Sequence, residues 1–425
     1  MKTILINVSS YLIYLTPLAL LTGPALPDIF ISLTGTIFLF LVIKDKEFFY
    51  FKNYFFYFFF IFYFYININS VLSDSIILSL KSSFFYIRFF LLSLAIWYLI
   101  ENNSNFLKYF FYFLFATFMF ALIDGYSQYF LNHNLFGYPK PGLRLFLTFD
   151  QRLILGGYLV RLIPLLFALI LVSYSNVKFK PYILIIILIS TDILVYISGE
   201  RTAFALLTLF TILIILFVSK YKTLRIFTFI LSLIIIILIT YFDKDIRYRN
   251  IEHTINQVTS SAVSDENEVS KFVIYSDEHH SYISTAFNMF KKKPIFGHGP
   301  NSFRIHCNNL ELKFNQYGCT THPHNTYIQL LSEIGIIGTL FVCFIFFYLI
   351  KKIFLNLYYS LKASKKIIFL DDYQILLLIC FIMTLWPIFP TKNFFNNWIN
   401  IIYYLPVGFY LQSIYSGIGN RSKNK

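Results

Sequence analysis

Charge is scarce in this chain: Lys, Arg, Asp and Glu make up 13% of the 425 residues, against 57% hydrophobic and 21% aromatic. That shortage excludes an ordinary soluble domain, because repeated apolar stretches of about 18 residues or more read as membrane spans. Two nucleotide signatures are missing as well. No glycine-rich loop ends in Lys-Ser/Thr, and no dinucleotide fingerprint follows a strand, so ATPase and Rossmann readings fall away. No internal repeat is present, and no soluble domain is expected after the last span. Cysteine is rare, with 4 in all. Cys343 and Cys380 lie within apolar runs, whereas Cys307 and Cys319 share one polar loop. In an oxidising compartment that pair can form a disulfide, worth roughly 3 kcal/mol for a loop of this size. Two free thiols fit the sequence equally well.

What charge there is leans basic, with a formal net charge of +14. Nucleic acid is one partner for such a chain. The inside bias of Lys and Arg in a multispan protein explains it better, because the basic residues fall in alternate loops. The lipid bilayer is therefore the expected environment, and nucleic acid is not expected as a partner. The opening Met1-Lys2-Thr3 and its apolar run resemble a signal sequence in outline. Without a small-residue cleavage site they read as a retained first helix.

The fold class expected is all-α: a polytopic integral membrane protein of about twelve transmembrane helices, each roughly 17–22 residues. The spans fall near 4–21, 27–43, 48–66, 83–100, 106–124, 153–173, 181–198, 202–219, 224–242, 325–350, 373–390 and 397–416. Lys44, Lys46, Lys52, Lys108, Lys178, Lys180, Lys220, Lys222, Arg225, Lys351, Lys352, Lys362, Lys365 and Lys366 share a side with Lys2 and with Arg421, Lys423 and Lys425. Lys81, Lys140, Arg144, Arg152, Arg201 and Lys392 are sparse on the other side. Both termini are thus expected in the cytoplasm, and the long loop between spans nine and ten faces out. The chain divides into 1–242 (nine spans), 243–323 (the loop) and 324–425 (three spans and a cytoplasmic tail). Within the loop, Ser260 to Glu268 is polar and Tyr282 to Phe290 has the pattern of an amphipathic helix. A second outer loop, 125–152, contains Pro139, Pro141 and Gly142 and can cover the same site.

Three groups of residues can carry chemistry. His322 and His324, in His322-Pro323-His324-Asn325-Thr326-Tyr327-Ile328-Gln329, lie where the long loop meets an apolar run. An imidazole there can act as a base near neutral pH, serve as part of a metal site, or cap the helix beginning near Asn325. His279, His280, His298 and His306 show no metal-ligand spacing, and no metal is expected. Arg201, in Ser198-Gly199-Glu200-Arg201-Thr202, sits at a tight outer turn. Its guanidinium offers a planar fork to phosphate oxygens, although an arginine snorkelling to headgroups or pairing with Glu200 has the same sequence. Arg247 and Arg249 follow the ninth span on that side. Arg161, Asp124, Glu333 and Arg88 are further charges in or beside spans that can be ion-pair partners. Gly335 and Gly338 have the spacing of close helix packing.

Pro294-Ile295-Phe296-Gly297-His298-Gly299-Pro300-Asn301-Ser302-Phe303, His322 to Gly335, and the Ser198–Thr202 turn together resemble the O-antigen ligase and polymerase superfamily of bacterial membrane glycosyltransferases. The likeness is strong over about 140–345, in order, spacing and sidedness. It implies a helical bundle in the bacterial inner membrane, with an active site facing the periplasm. The donor it implies is a glycan on undecaprenyl diphosphate. The acceptor is a lipid A–core sugar for a ligase, or a second lipid-linked glycan for a polymerase. His324 matches the family's catalytic histidine and Arg201 the arginine assigned to the diphosphate. Arg249 or Arg247 matches the second basic residue, with His322, Asn325 and Arg161 also expected at the substrate. No cofactor is implied. A transporter would instead place its ionisable residues near the midplane on broken helices.

Overall fold

The computed structural model describes residues 1–149, 152–173, 180–260, 276–362 and 370–415. The polar stretch 261–268, Lys178, Lys365, Lys366 and the basic tail with Arg421, Lys423 and Lys425 lie outside the described residues. The protein is all-α, and each expected span overlaps a helix, although the helix within 373–390 ends at Thr384. In hydrocarbon a backbone must satisfy its own N–H and C=O groups, and a helix does so within one segment. Among the described residues, eight helices are long and apolar enough to cross a membrane by length and composition. Three shorter apolar helices, Pro181–Ile197, Arg201–Phe217 and Asp372–Thr384, lie among them. The third span is shifted: Phe48–Phe51 is a short 3-10 turn, and Asn53 caps the helix Tyr54–Val71 by accepting from the Phe56 N–H at 2.9 Å.

Burial distinguishes the centre of the bundle from its rim. The apolar window of Leu155–Val172 is 83% buried, against 28% for Tyr54–Val71 and for Lys222–Phe242. The central helix packs against Asp372–Thr384, and Asn397–Tyr415 packs against Ile87–Asn102. A phenylalanine-rich seam (Phe59, Phe90, Tyr86, Phe394) joins the N-terminal helices to the C-terminal segment. The rim helices turn large apolar side chains such as Phe64, Ile237 and Phe347 outward.

The charges within spans have clear structural partners. Arg225, counted from sequence among the basic residues at the cytoplasmic end of span 224–242, is fully buried inside the helix Lys222–Phe242. Its guanidinium forks onto Asp192 at 2.8 and 2.9 Å, and Thr211 accepts from it too. Burying a guanidinium requires such a partner, so this arginine belongs to the core. Arg88 pairs with Asp28 at 2.7 Å. Asp124 and Glu333 are not ion-pair partners among the described residues; each pins a loop to the bundle. The Asp124 carboxylate accepts from the Leu135 N–H, the Thr148 hydroxyl and the Gln128 amide at 2.8–3.0 Å. Glu333 accepts from the N–H groups of Asn301 and Phe303 and from Gln329, at 2.9–3.0 Å.

Glu333 sits beside a break that the apolar pattern conceals. Thr326–Lys362 is two helices joined at Gly335, whose backbone is φ 65°, ψ −173°. The 294–299 turn docks into this break: His298 N–H reaches Ser332 O, Gly299 N–H reaches Glu333 O, and Ile336 N–H reaches Pro294 O. A Cβ at Gly335 would collide with the Ile295 carbonyl, so only glycine serves there. Asp277–Lys292 forms the expected amphipathic helix of the loop and packs on Thr326–Lys362.

Candidate functional site

The histidine segment is built by local backbone rules. Asn325 caps the short helix beginning at Thr326: its side-chain oxygen accepts from the Tyr327 and Ile328 N–H groups at 3.0 and 3.1 Å. Its amide NH2 donates to the Pro387 carbonyl at 2.9 Å. Asn325, expected at the substrate, therefore has both ends of its amide occupied. His324 precedes it in the left-handed region, φ 57°, and its carbonyl accepts from the Thr391 N–H at 2.8 Å.

His322 and His324 differ in what holds their rings. His322 is buried between the Thr321 hydroxyl at 3.0 Å on Nδ1 and the Thr391 carbonyl at 3.3 Å on Nε2. The carbonyl can only accept, so the Nε2–H tautomer is fixed and Nδ1 accepts from Thr321. The His324 ring is surrounded by His322, His279 and Tyr282, with ring centres 4.1, 5.1 and 5.7 Å away. Among the described residues no group hydrogen-bonds that ring. Burial pushes His324 down to about 3, with repulsion from His322 and His279, were they protonated, and from the Lys392 ammonium disfavouring its charged form further. Burial likewise lowers His322 to about 4 despite its bond to Thr391. Both imidazoles are neutral at physiological pH, and His324 has an uncommitted lone pair.

The arginine side of the site begins at the Ser198–Arg201 turn. Gly199 has φ 72°, and a Cβ there would lie 3.1 Å from Arg144 and 3.3 Å from Arg249, so the turn runs between two arginine side chains. Glu200 accepts from the N–H groups of Gly156 and Gly157 at 2.7 and 3.2 Å, anchoring the start of the central helix. Arg201 donates to Gln257 at 2.6 Å, to the Arg249 carbonyl at 3.0 Å and to His253 at 2.8 Å. A π-helical turn, Tyr248–Glu252, positions Arg249, and Asn250 ties that turn to the Tyr196 carbonyl.

Arg144, Arg201 and Arg249 each have a buried Nε–H with no hydrogen-bond partner among the described residues. Among the described residues no carboxylate forms a salt bridge with any of the three. Burial lowers the Arg249 guanidinium, and Arg201 and Arg144 lower it further by repulsion. Arg247 lies apart, 40% exposed and paired with Glu252 at 3.1 Å. Arg161 donates to its own helix at Gly157 O, 2.9 Å away, within electrostatic range of Lys392.

Lys392 joins the two halves. It lies within Coulombic range of His322 and His324 on one side, and of Glu200, Arg161, Arg144 and Arg152 on the other. Its neighbour Thr391 bonds both histidine residues and accepts from the Thr326 hydroxyl at 2.8 Å. Arg144 and Lys392 were not singled out from sequence. The only signal was their sidedness, together with the proline-bearing loop that carries Arg144. Cys307 and Cys319 are joined as a disulfide with Cα atoms 4.9 Å apart, closing a small core of Ala286, Met289, Phe303 and Leu312 over this end of the bundle.

No curated protein matches the chain. The profile of a family described as O-antigen ligase matches residues 182–343. That window contains Arg201, Arg249, both histidines of the His-Pro-His turn, Glu333 and the Gly335 break, while Arg144, Arg161 and Lys392 lie outside it. Over residues 182–343 the chain is similar to the O-antigen ligase family, on a helical bundle in which eight of the described helices are long and apolar enough to cross a membrane.

Proposed function

We propose that the protein is an inverting glycosyltransferase that moves a glycan from undecaprenyl diphosphate to a sugar hydroxyl of lipid A–core. The observation that carries this is a cluster of three guanidinium groups, each with a buried Nε–H unpaired among the described residues, linked to the neutral His324 imidazole through Lys392, which lies in electrostatic range of both Arg144 and His324. Buried donors without partners are costly, and a polyanion supplies acceptors for all of them. A lipid-linked diphosphate is such an anion, and its polyprenyl chain would remain in the bilayer.

In this reading the anomeric C–O bond to the diphosphate breaks as the acceptor oxygen attacks the opposite face. Arg201 and Arg249, with Arg144, take up the charge that grows on the leaving diphosphate. His324 accepts the acceptor's proton, and the new glycosidic bond has inverted configuration. His322, Thr321 and Thr391 hold the His324 turn in place. Lys392 and Arg161 extend the positive field between base and diphosphate, and Arg247 takes no part. The leaving group needs no metal to depart. Segment 243–323 then acts as a periplasmic roof between the bundles 1–242 and 324–425, with both termini in the cytoplasm.

The test uses purified protein in lipid with an undecaprenyl diphosphate glycan and two acceptors offered in parallel: lipid A–core and a second lipid-linked glycan. Transfer to lipid A–core supports ligation, whereas chain extension alone assigns polymerisation instead. His324→Ala should lower transfer by about 100-fold or more while membrane insertion is preserved. Undiminished transfer in that variant removes the base role.

A further inference from the structure

A second imidazole cluster lies outside the transfer chemistry. His298 and His306, 8 residues apart in the loop, bring their rings within 4.8 Å of each other. Asp74, from the turn between Tyr54–Val71 and Ile76–Phe84, completes the group. The His298 Nδ1 lies 3.6 Å and the His306 Nε2 4.0 Å from the Asp74 Oδ2.

The tautomers show what is missing between these atoms. His298 is only 3% exposed, and its Nε2–H donates to the Met289 carbonyl at 3.1 Å. Its Nδ1 is therefore a bare lone pair, buried and without a hydrogen-bond partner. The His306 Nε2 is also buried and unpartnered. A bare imidazole lone pair and a carboxylate oxygen aimed at one another repel, and a cation between them reverses the sign. The three ligand atoms all lie within 4.8 Å of one another. An ion held at about 2.0–2.2 Å by nitrogen and oxygen ligands in a tetrahedron sets those ligands roughly 3.3 Å apart. The two Asp74 contacts, at 3.6 and 4.0 Å, reach that spacing by contracting less than an ångström, and the two imidazole nitrogens, within 4.8 Å of each other, by closing about 1.5 Å at most.

We propose that Asp74, His298 and His306 bind one divalent transition-metal ion of zinc-like preference. Two imidazoles and a carboxylate select such an ion over calcium or magnesium, which favour all-oxygen sites. Lys293 holds Asp74 through Oδ1 at 2.7 Å and Oδ2 at 2.6 Å, so it both orients the carboxylate and competes for it. The ion would fasten two neighbouring parts of the loop to a turn more than 200 residues earlier. The parts joined are the turn at Asp74, the turn at His298 that docks into the Gly335 break, and the short helix Phe303–His306 next to Cys307. Its role is structural, a clasp for the loop, and it does not depend on which acceptor the enzyme uses.

Chelator-stripped full-length protein in detergent, titrated with Co2+ as a visible probe, tests this. One ion per chain should bind, with the absorption bands of a four-coordinate site, and Zn2+ should displace it. Asp74→Asn and His306→Ala should each weaken binding by about 100-fold or more, whereas His280→Ala should leave it unchanged. Lys293→Ala keeps all three ligands and removes the competitor, so it should tighten binding. Loss of stoichiometric Co2+ binding in the unaltered protein overturns the proposal without reference to any variant, as does binding that survives both ligand substitutions. Bound Zn2+ should also raise the thermal midpoint of the unaltered protein but not of His306→Ala.

Discussion

Arg225 and Arg201 are the same side chain in two opposite situations. Arg225 is fully buried and forked onto Asp192, with Thr211 as a further acceptor. Arg201, with Arg249 and Arg144 beside it, donates to Gln257, the Arg249 carbonyl and His253 and keeps its Nε–H unpaired among the described residues. The nearest acidic residue in sequence, Glu200, is committed to the backbone of Gly156 and Gly157. A balanced buried charge holds helices together, whereas an unbalanced cluster is completed by a ligand.

The comparison is tested first where it should break hardest. Asp192→Ala leaves Arg225 buried and uncompensated, and should destabilise the bundle by about 3–5 kcal/mol. Thermal unfolding in detergent checks this, and a midpoint near that of the unaltered protein would show that Arg225 escapes to water. Arg201→Ala should do the reverse. It should lower transfer by about 2.7–4 kcal/mol of transition-state stabilisation and leave the unfolding midpoint unchanged or higher, because mutual repulsion is relieved. A large drop in midpoint would make Arg201 a structural residue like Arg225. Arg249 and Arg247 sharpen the contrast further. Arg249→Ala should follow Arg201→Ala in direction, whereas Arg247→Ala, which removes an exposed pair with Glu252, should change transfer less than about 2-fold.

This contrast shows how far the sequence could be read. Apolar length alone located the helices, since hydrocarbon demands helices of that length. His324 and Arg201 stood out because polar residues are rare at the ends of such helices. The buried pairing of Arg225 is not legible in the sequence because its partner, Asp192, lies on another helix, and a basic residue at a span end reads as an inside anchor. Arg144 and Lys392 were hidden for the same reason: each reaches the site from a different loop, and neither loop has a motif. The Gly335 break was invisible because the apolar run continues through it, while the 294–299 turn that fills it lies about 40 residues earlier. The capping role of Asn325 is not legible in the sequence, since a cap and a ligand-binding amide have the same residue type at the same place.

The smallest expected effect, and the most diagnostic of the site, is on pH dependence. An exposed histidine titrates near 6.5, whereas burial lowers His324 to about 3 and His322 to about 4. Between pH 6.5 and about 4 the unfolded chain therefore takes up protons that the folded site refuses. Stability contributed by these groups is present above pH 6.5 and declines as the pH falls through that window. Transfer behaves differently, because the imidazole keeps its lone pair throughout. The acid limb of kcat/KM, which reports the free enzyme, should lie well below 6.5. The bound diphosphate brings negative charge close to His324, which favours its protonated form. The acid limb of kcat should accordingly lie at higher pH than that of kcat/KM. In Arg201→Ala the anion is less neutralised, and the gap between the two limbs should widen. If instead both limbs coincide near 6.5, His324 is solvated like a surface histidine, and the arginines and the imidazole do not act on one bound anion.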